Sequence, residues 1–527
     1  MKKRLLKHIG LVAVFIMTLQ ILISPFFSMA DGDSLVVGME ANYAPFNWAQ
    51  ATDENGAVEI SNSPGEYANG YDVQIAKKIA ESLGKDLKIQ KLEWDGLAPA
   101  LMSGKIDAII AGMSPTAERK KEIDFSDNYY SSDLVIVLSQ NNKYANSKSL
   151  EDFKGARITG QLNTFHYDVL DQIPGVDKQD AMESFPSMIS AVLANKIDGY
   201  ISEKPGAMSA VASNPSLTYV EFEKGKGFET SSEDTSIAVG LQKGSDLTNG
   251  VNEALSKIDD KERESIMSDM VKLNLANENP DTFWSKVKGI FSDYGSLFIK
   301  GAGMTLLIAS VSTIIGFIIG IIVEVIREIR VNKEKNALGF YIQKVVKFIL
   351  TAYVEIFRGT PMMVQAMLIY FGSKMYLNID LSAITAALLI VSINTGAYLA
   401  EVVKGGIKSV DDGQMEACKA IGMTQAQAMK NVILPQAIRN IIPTIGNEFV
   451  INIKDTSVLN VISVTELFFI AKSVAGSTYN IFETYTITCI IYFILTFTVT
   501  RILMYIEKKY YNRTYIMESS TGGMTNE

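Results

Sequence analysis

Residues 306–323 of this chain read LLIASVSTIIGFIIGIIV, an apolar run without a single charge. A run near 20 apolar residues matches the ~30 Å hydrocarbon thickness of a bilayer, at about 1.5 Å of helix rise per residue. A second uncharged run, Tyr485–Val499, lies further along the same region. Residues 31–279, by contrast, read as an acidic globular protein. The sequence therefore predicts a water-soluble part followed by a membrane part.

The whole-chain averages conceal this division. The chain has 527 residues, too many for one ordinary domain, with 47% hydrophobic and 20% charged residues. Its net charge of −9 comes without a basic stripe of interleaved aromatics, so we expect no nucleic-acid partner. The cysteines, Cys418 and Cys489, and the histidines, His8 and His166, lack the spacing of a metal site. We therefore expect no metal and no cofactor.

The N-terminus has the pattern of a secretory signal over residues 1–30. Basic residues precede the apolar stretch Leu11–Phe27, and Ser28 and Ala30 put small residues at the positions of a cleavage site. An uncleaved membrane anchor is the alternative. In both cases the following domain is exported from the cytoplasm.

Residues 31–275 are predicted to form an extracellular α/β domain. Predicted strands alternate with amphipathic helices along this part of the chain. The strands are Leu35–Met39, Leu87–Leu92 and Ile106–Gly112, and the helices are Tyr71–Leu83, ended by Gly84, and Leu97–Ser103. Such alternation favours a largely parallel sheet, with a ligand site beyond the carboxyl ends of the strands.

Six short stretches in this domain resemble the amino-acid-binding family of bacterial extracellular solute receptors. They are Tyr43–Phe46 (YAPF), Gly70–Val73 (GYDV), Trp94–Leu101 (WDGLAPAL), Gly104–Ala108 (GKIDA), Gly112–Arg119 (GMSPTAER) and Asp124–Asp127 (DFSD). The resemblance implies a type II periplasmic-binding-protein fold, in which two α/β lobes clamp the ligand. It places hinge strands near Asp133–Leu138 and Thr235–Leu241, with lobe 1 at 34–132 and 242–272 and lobe 2 at 139–234.

The same resemblance implies how the backbone groups of a free amino acid are held. Arg119 takes the place of the carboxylate clamp, because a guanidinium offers two parallel donors. Gly112 and Ser114 precede it in a turn that can aim polar groups at the ligand. Thr164 is expected to contact the ligand from lobe 2. Glu203 occupies the position where the family has an acid that binds the α-ammonium group.

The side chain of the ligand is expected to meet other residues. By resemblance, Tyr43 and Trp94 form ring walls, and Glu40 faces a distal amide or cation. Asn163 departs from the glycine that is usual in the family, which weakens the expected contact at that point. The remaining acids of these motifs are expected to stabilise turns rather than touch ligand: Asp72, Asp95 and Asp107.

Residues 298–510 are predicted to be an all-α permease domain of about five membrane helices. The apolar segments are Met304–Val323, Phe348–Phe371, Leu381–Val403, Ala437–Ile453 and Tyr485–Tyr505. The second segment should break at Gly359-Thr360-Pro361, because proline cannot continue the helical hydrogen bonds. Lysine and arginine gather after the first, third and fifth segments, which places those loops and the tail, 511–527, in the cytoplasm.

One cytoplasmic segment closely resembles the coupling motif of permeases of ATP-binding-cassette (ABC) importers. The matching positions are Glu416, Ala417, Gly422, Leu434 and Pro435, with Cys418 where the family usually has alanine. In that family the segment docks on an ATPase. Further stretches resemble the polar amino acid branch: Arg358–Pro361, Asn394–Tyr398 and Lys454–Ser457.

No Gly-x-x-x-x-Gly-Lys-[Ser/Thr] phosphate loop occurs in the sequence. The chain is therefore expected not to be an enzyme, and its energy must come from a separate cytoplasmic ABC ATPase. One permease unit per chain implies a homodimer. Residues 276–297 are expected to be a linker, either an amphipathic helix on the outer membrane surface or the start of the first spanning helix.

The sequence thus predicts a multi-pass protein of the cell membrane that takes up a polar or basic L-amino acid. Glutamine, arginine, lysine and histidine all suit the expected site. The alternative is an amino-acid-gated channel or sensor built on the same binding fold. A channel of that kind splits the binding fold around its pore helices, whereas here the fold is uninterrupted.

Overall fold

The structure, a computed structural model, describes residues 34–230, 235–275, 282–329, 333–334 and 336–521. The predicted signal at 1–30 lies outside these residues, as do 276–281 of the predicted linker and 522–527 of the predicted tail.

The described residues of the first domain form two five-stranded sheets and one four-stranded sheet. The strands are β1 Ser34–Met39, β2 Asn42–Tyr43, β3 Asn47–Gln50, β4 Val58–Glu59, β5 Tyr67–Asn69, β6 Asp86–Lys91, β7 Ala108–Ile109, β8 Asp124–Ser131, β9 Leu134–Ser139, β10 Arg157–Thr159, β11 Asp177–Lys178, β12 Gly199–Glu203, β13 Leu217–Val220 and β14 Ser236–Leu241. Their orders are β6-β1-β7-β14-β8, β11-β10-β12-β9-β13 and β2-β3-β5-β4.

Each five-stranded sheet forms the core of one lobe, which confirms the two-lobed α/β prediction. Neither sheet is largely parallel, however. In each, three parallel strands are joined to two that run antiparallel to their neighbours. The antiparallel pairing arises because the strand that follows each crossover between the lobes runs opposite to its two neighbours. This strand is β14, between β7 and β8, in one sheet and β9, between β12 and β13, in the other.

The prediction that these two strands act as hinges between the lobes is wrong, because each belongs to the sheet of a single lobe. β9 lies wholly in the sheet of lobe 2, and β14 lies wholly in the sheet of lobe 1. The first crossover is the short step between β8 and β9, around Ser132 and Asp133. Both strands are buried along nearly their whole length. Their almost uniformly apolar sequences fit strands that are covered on both faces.

Helices pack on these sheets. They are α1 Tyr71–Leu83, α2 Trp94–Met102, α3 Arg119–Glu122, α4 Phe165–Asp168, α5 Phe185–Leu193, α6 Lys204–Ser213, α7 Leu247–Ser256 and α8 Asp260–Leu275. α1 has the predicted bounds. Its buried face includes Val73, Ile75 and Ile79, and Gly84 ends it with φ of 64°, a left-handed conformation that glycine adopts without steric cost.

The second domain is helical throughout its described residues. Its α-helices are α9 Phe283–Glu328, α10 Ala337–Gly359, α11 Met362–Leu377, α12 Ala383–Lys408, α13 Asp412–Ala420, α14 Gln425–Ala428, α15 Leu434–Asp455, α16 Leu467–Thr478 and α17 Ile481–Thr521. Four of these, α9, α10, α12 and α17, are long and apolar enough to cross a membrane. A bent pair, Gln425–Ile462 with Leu467–Thr478 at 55°, gives up to five spans, in agreement with the prediction.

The chain breaks between α10 and α11 at Thr360 and Pro361, as the sequence predicts. Amide side chains satisfy the carbonyl groups that the break frees. Gln365 donates to the Phe357 and Thr360 carbonyl oxygens at 3.1 and 3.0 Å, and Asn394 donates to the Phe357 carbonyl at 3.0 Å. Such compensation is required where a helix breaks at membrane depth. The span on this side of the break is Ala337–Gly359, so the predicted segment Phe348–Phe371 covers parts of two helices.

The predicted linker is shorter than expected, since α9 begins at Phe283 and runs without interruption into the first membrane span. Of the two alternatives, the start of the spanning helix is therefore the one observed. The first domain rests on the second through α16. Ser477 accepts a hydrogen bond from the Ala49 backbone at 3.1 Å, and Tyr479 donates to the Ala44 carbonyl at 3.0 Å.

Candidate functional site

One cavity between the two lobes is lined by all eight residues predicted to hold the ligand. They are Glu40, Tyr43, Trp94, Gly112, Ser114, Arg119, Thr164 and Glu203. The remaining space is only about 10 Å³, roughly that needed by one water molecule. The lobes are therefore closed on each other, and a ligand as large as an amino acid requires them to separate.

The sheet edges determine which side chains meet. Glu40 directly follows β1, and Glu93 and Trp94 follow β6, which lies parallel beside it with Met39 opposite Lys91. Glu203 is the last residue of β12 in the other lobe. The carboxyl ends of parallel strands lie at the same edge of a sheet, so residues distant in sequence converge on the cleft.

Arg119 spans the cleft at the first turn of α3. Its guanidinium donates to the Ser114 carbonyl in lobe 1 and to the Asn163 carbonyl in lobe 2, both at 3.0 Å. It also lies over the Trp94 ring, 5.1 Å from the centroid. Burial lowers the pKa of Arg119 to about 10, so the group remains a cation at neutral pH. The fork is thus held in position with its charge available to an anion.

The backbone conformation of Asn163 explains why asparagine can stand here in place of the family's usual glycine. Its φ is 58°, in the left-handed region where glycine is favoured and asparagine is tolerated. Its side chain donates to Asp95 across the cleft at 3.0 Å. The position keeps the backbone turn that the motif needs and adds a contact between the lobes.

Glu203 lies opposite Arg119 in the lining and already has two partners. The Tyr43 hydroxyl donates to one carboxylate oxygen, and His166 Nε2 lies 2.9 Å from the other. Burial alone would raise the pKa of Glu203, but the pairs with His166 and Tyr43 outweigh it and keep this pKa below its ordinary value. Glu203 is thus an ionised acid that can accept an ammonium group.

Aromatic rings close the side of the cavity. Tyr43 stacks on Phe185 of lobe 2 with ring centroids 4.3 Å apart, and on Phe46 at 5.1 Å. Because Tyr43 and Phe185 belong to different lobes, this stack exists only in the closed arrangement.

Glu40 is the most perturbed acid of the lining. It is 6% exposed, and burial together with the nearby Glu93 raises its pKa to about 8. Lys472 of the second domain and a hydrogen bond from Asn42 act in the opposite direction. Near neutral pH the group is therefore largely protonated and can donate a hydrogen bond.

Asp72 and Asp107, which were expected to stabilise turns, do not line the cavity, and their hydrogen bonds reach groups that are distant in the sequence. Asp72 accepts hydrogen bonds from Asn47 at 2.7 Å and Tyr129 at 2.8 Å, and Asp107 accepts from the Val36 backbone at 2.8 Å. Asp95 instead makes the contact to lobe 2 described above.

Sequence reasoning missed five further lining residues. They are Ala111, Gln161, Phe165, His166 and Phe185. Phe165 and His166 directly follow the predicted Thr164 in the first turn of α4, so their position was a usable signal. Phe185 carries no local signal, because only the folded contact with Tyr43 brings it to the cleft.

The predicted coupling segment forms two short helices joined by a turn. α13, Asp412–Ala420, carries Glu416 and Ala417, and Gly422 follows it with φ of 83°. Thr424 caps α14, and Leu434 and Pro435 begin α15. Cys418 is buried, whereas Ile421 at the turn is 78% exposed. A fixed helical base thus presents an exposed apolar tip.

Comparison with known families divides the chain as the structure does. Residues 35–269 match the bacterial extracellular solute-binding proteins, family 3. Residues 337–510 match the inner membrane component of binding-protein-dependent transport systems.

Curated relatives cover the second domain. A probable amino-acid permease of Bacillus subtilis is 38% identical over 38% of this chain and 84% of the relative. An arginine transport system permease of the same species is 34% identical, over 40% of this chain and 91% of its own length. A putative glutamine transport permease of Rickettsia typhi is also 34% identical, with the same coverage.

Solved structures cover the first domain. An arginine-bound amino acid ABC transporter substrate-binding protein of Streptococcus pneumoniae is 24% identical, with a TM-score of 0.41, over 47% of this chain and 99% of that one. An ancestral arginine-binding protein bound to arginine is 31% identical, with a TM-score of 0.37, over 45% and 98%.

Proposed function

The chain belongs to the inner membrane components of binding-protein-dependent transport systems, with a family 3 solute-binding domain fused ahead of them, and we propose on that basis that it imports a free L-amino acid. The binding domain captures the amino acid outside the cell and delivers it to the membrane helices of the same chain.

One observation carries the proposal. A guanidinium and an ionised acid, Arg119 and Glu203, line one closed cavity from opposite lobes. A free amino acid carries a carboxylate and an ammonium group about one carbon apart, and this pair of charges matches it. Arg119 binds the carboxylate with Ser114 and the Gly112 turn, while Glu203 and Thr164 bind the ammonium side.

The lining narrows the class of side chain. Glu40 faces the cavity beside the rings of Tyr43 and Trp94. A carboxyl group that is easily protonated can accept from a cation or donate to an amide. Arginine, lysine, histidine and glutamine therefore fit, whereas a purely apolar side chain would offer the buried Glu40 no hydrogen bond beyond the one from Asn42.

Energy comes from a separate cytoplasmic ATPase that docks on the exposed turn at Gly422. Two chains form one transporter, because each supplies a single permease unit. The binding domain lies outside the cell, and the coupling segment and tail lie in the cytoplasm.

The test is calorimetric titration of the full chain in nanodiscs with each of the four amino acids, and with leucine as the apolar control. We expect at least one of the four to bind and leucine not to bind at millimolar concentration. Heat from leucine alone, or from none of the five, would exclude the proposed site chemistry.

A further inference from the structure

A lysine of the permease domain binds an acid that directly precedes Trp94, a residue of the ligand cavity wall. Lys472 lies on α16, and its Nζ is 2.6 Å from Glu93 Oε2 of the binding domain. The two side chains are only 17% and 19% exposed, so the pair is largely shielded from water. Such shielded charge pairs interact far more strongly than exposed ones.

Glu93 and Glu40 form an acid pair at one sheet edge. Both follow neighbouring parallel strands, β6 and β1, and Glu93 directly precedes the cavity wall Trp94. The Glu93 carboxylate disfavours ionisation of Glu40, and Asp95 adds to this effect. One cation can relieve much of this repulsion, and in the docked chain Lys472 supplies it.

The other charges nearby already have partners. Lys91, which lies close to the pair, is bound to Glu66 at 2.9 Å with both side chains buried. Arg119 lines the same cavity but donates to the Ser114 and Asn163 carbonyls. Among the described residues around the pair, Lys472 is the cation that directly contacts it.

We propose that Lys472 competes with the cationic side chain of the ligand for the Glu40–Glu93 acid pair, so that docking on the permease weakens the binding of cationic amino acids. The inference rests on the proposed amino acid site and adds to it a residue of the permease that favours release. The neutral amide of a glutamine ligand binds the acid pair by a hydrogen bond and not by an ion pair. Lys472 therefore does not compete with glutamine.

The surroundings leave Lys472 room to withdraw. A cavity of about 360 Å³ lies between α5 of lobe 2 and the permease, and Lys472 lines it with Ser184, Pro186 and Tyr485. The ammonium group can therefore leave Glu93 for this space when a ligand cation takes its place.

The experiment measures the dissociation constants of arginine and glutamine by calorimetry on the full chain in nanodiscs. Lys472→Met removes the charge and keeps the length of the side chain. We expect it to tighten arginine binding about fivefold or more, the lower end of usual coupling between sites, and to leave glutamine binding unchanged. Lys472→Arg keeps the charge and should bind both as the native chain does.

Two further variants separate competition from docking. Lys374→Met removes a permease cation that pairs with Asp380, at a docking contact made by Lys105. Any effect of that variant on docking should change both amino acids equally. Glu93→Gln removes the acid, and Lys472→Met added to it should have no further effect on arginine.

An unchanged arginine affinity in Lys472→Met, or an equal change for arginine and glutamine, would overturn the inference while leaving the amino acid site intact. Failure of the native chain to bind either amino acid would instead contradict the proposed function, and the inference with it.

Discussion

Arg119 is the residue whose loss should cost the binding site most. Within lobe 1 its fork is fixed by the Ser114 carbonyl oxygen and by the Trp94 ring, so it loses little freedom when a carboxylate binds. Arg119→Ala leaves the ligand carboxylate without a partner in a closed site, which typically costs 2–5 kcal/mol, or about 30- to several-thousand-fold in affinity. Calorimetry on the full chain measures this loss.

The control is Lys121→Ala, which removes an exposed cation two residues away. A comparable loss of affinity in this variant would show that only net charge matters.

Glu40 predicts a pH dependence that depends on the ligand. Its pKa is raised to about 8, so the acid is protonated below that pH and ionised above it. A cationic ligand favours the ionised form, and its binding releases a proton. The affinity for arginine should therefore rise as the pH increases from 6 to 8 and level off above.

The groups facing Glu40 set the size of this effect. Glu93 and Asp95 raise its pKa, whereas Lys472 and Asn42 lower it. Glutamine, which can accept a hydrogen bond from the protonated acid, should not gain affinity over this range. Titrations at several pH values test the prediction with Glu40→Gln as the control, and a slope for arginine that persists in Glu40→Gln would assign the titration to another group.

At this scale the sequence predicted the positions of the residues better than their partners. The motifs fix local turns, and eight residues from five separate stretches indeed share one cavity. Glu203, however, pairs with His166 and Tyr43, and Tyr43 stacks on Phe185. Such contacts depend on the closure of the lobes, which no local pattern encodes.

Among the elements, the coupling turn offers the clearest test. An added Cβ at Gly422 would meet nothing within 4 Å, so space is not the constraint there. The constraint is its φ of 83°, which costs most residues about 1–2 kcal/mol. Gly422→Val should therefore distort the exposed tip and sharply reduce ATP-driven uptake in native membrane vesicles, while amino acid binding stays intact.

Gly422→Asn is the matched control, since asparagine tolerates this conformation and should retain most uptake. Equal uptake by the valine variant and the native chain would argue against a role of this turn in coupling.

Helices were easier to predict than strands in this chain. Tyr71–Leu83 has an apolar face and a glycine that ends it, and both signals are local. The family resemblance assigned β9 and β14 to hinges, whereas their pairing with strands distant in the sequence, which has no local signal, places each in the sheet of one lobe. The break at Pro361 was predictable because the proline ring itself prevents the helix from continuing, but the residues that compensate for it, Gln365 and Asn394, were not.

In the whole molecule, the binding domain and the permease are in direct contact. The sequence predicted only a tether between them, since nothing local to α16 marks it as a docking surface. The contact includes a buried ion pair of the binding domain, formed by Glu66 and Lys91. Two residues of α16 bind this pair: the Ser473 hydroxyl donates to Glu66, and the Phe469 ring centroid lies 5.1 Å from Lys91 Nζ. Fusion thus brings the receptor to its permease at a high effective concentration, and the surface chemistry orients it.

Gly476 tests whether this contact is needed for transport. It lies on α16 against the binding domain, where an added Cβ would be 2.4 Å from the Asn42 Cβ, a separation that forces the two domains apart. Gly476→Leu should overpack the interface at a cost of about 1–3 kcal/mol, equivalent to a fall of roughly 5- to 150-fold in the docked population. We therefore expect uptake to fall by about tenfold while calorimetry still detects amino acid binding. Gly289→Leu, near the start of α9 and with nothing within 4 Å of the added Cβ, should leave both unchanged. Normal uptake by Gly476→Leu would mean that delivery does not pass through this docked arrangement, whereas loss of binding together with uptake would point to damage of the binding domain rather than of its docking.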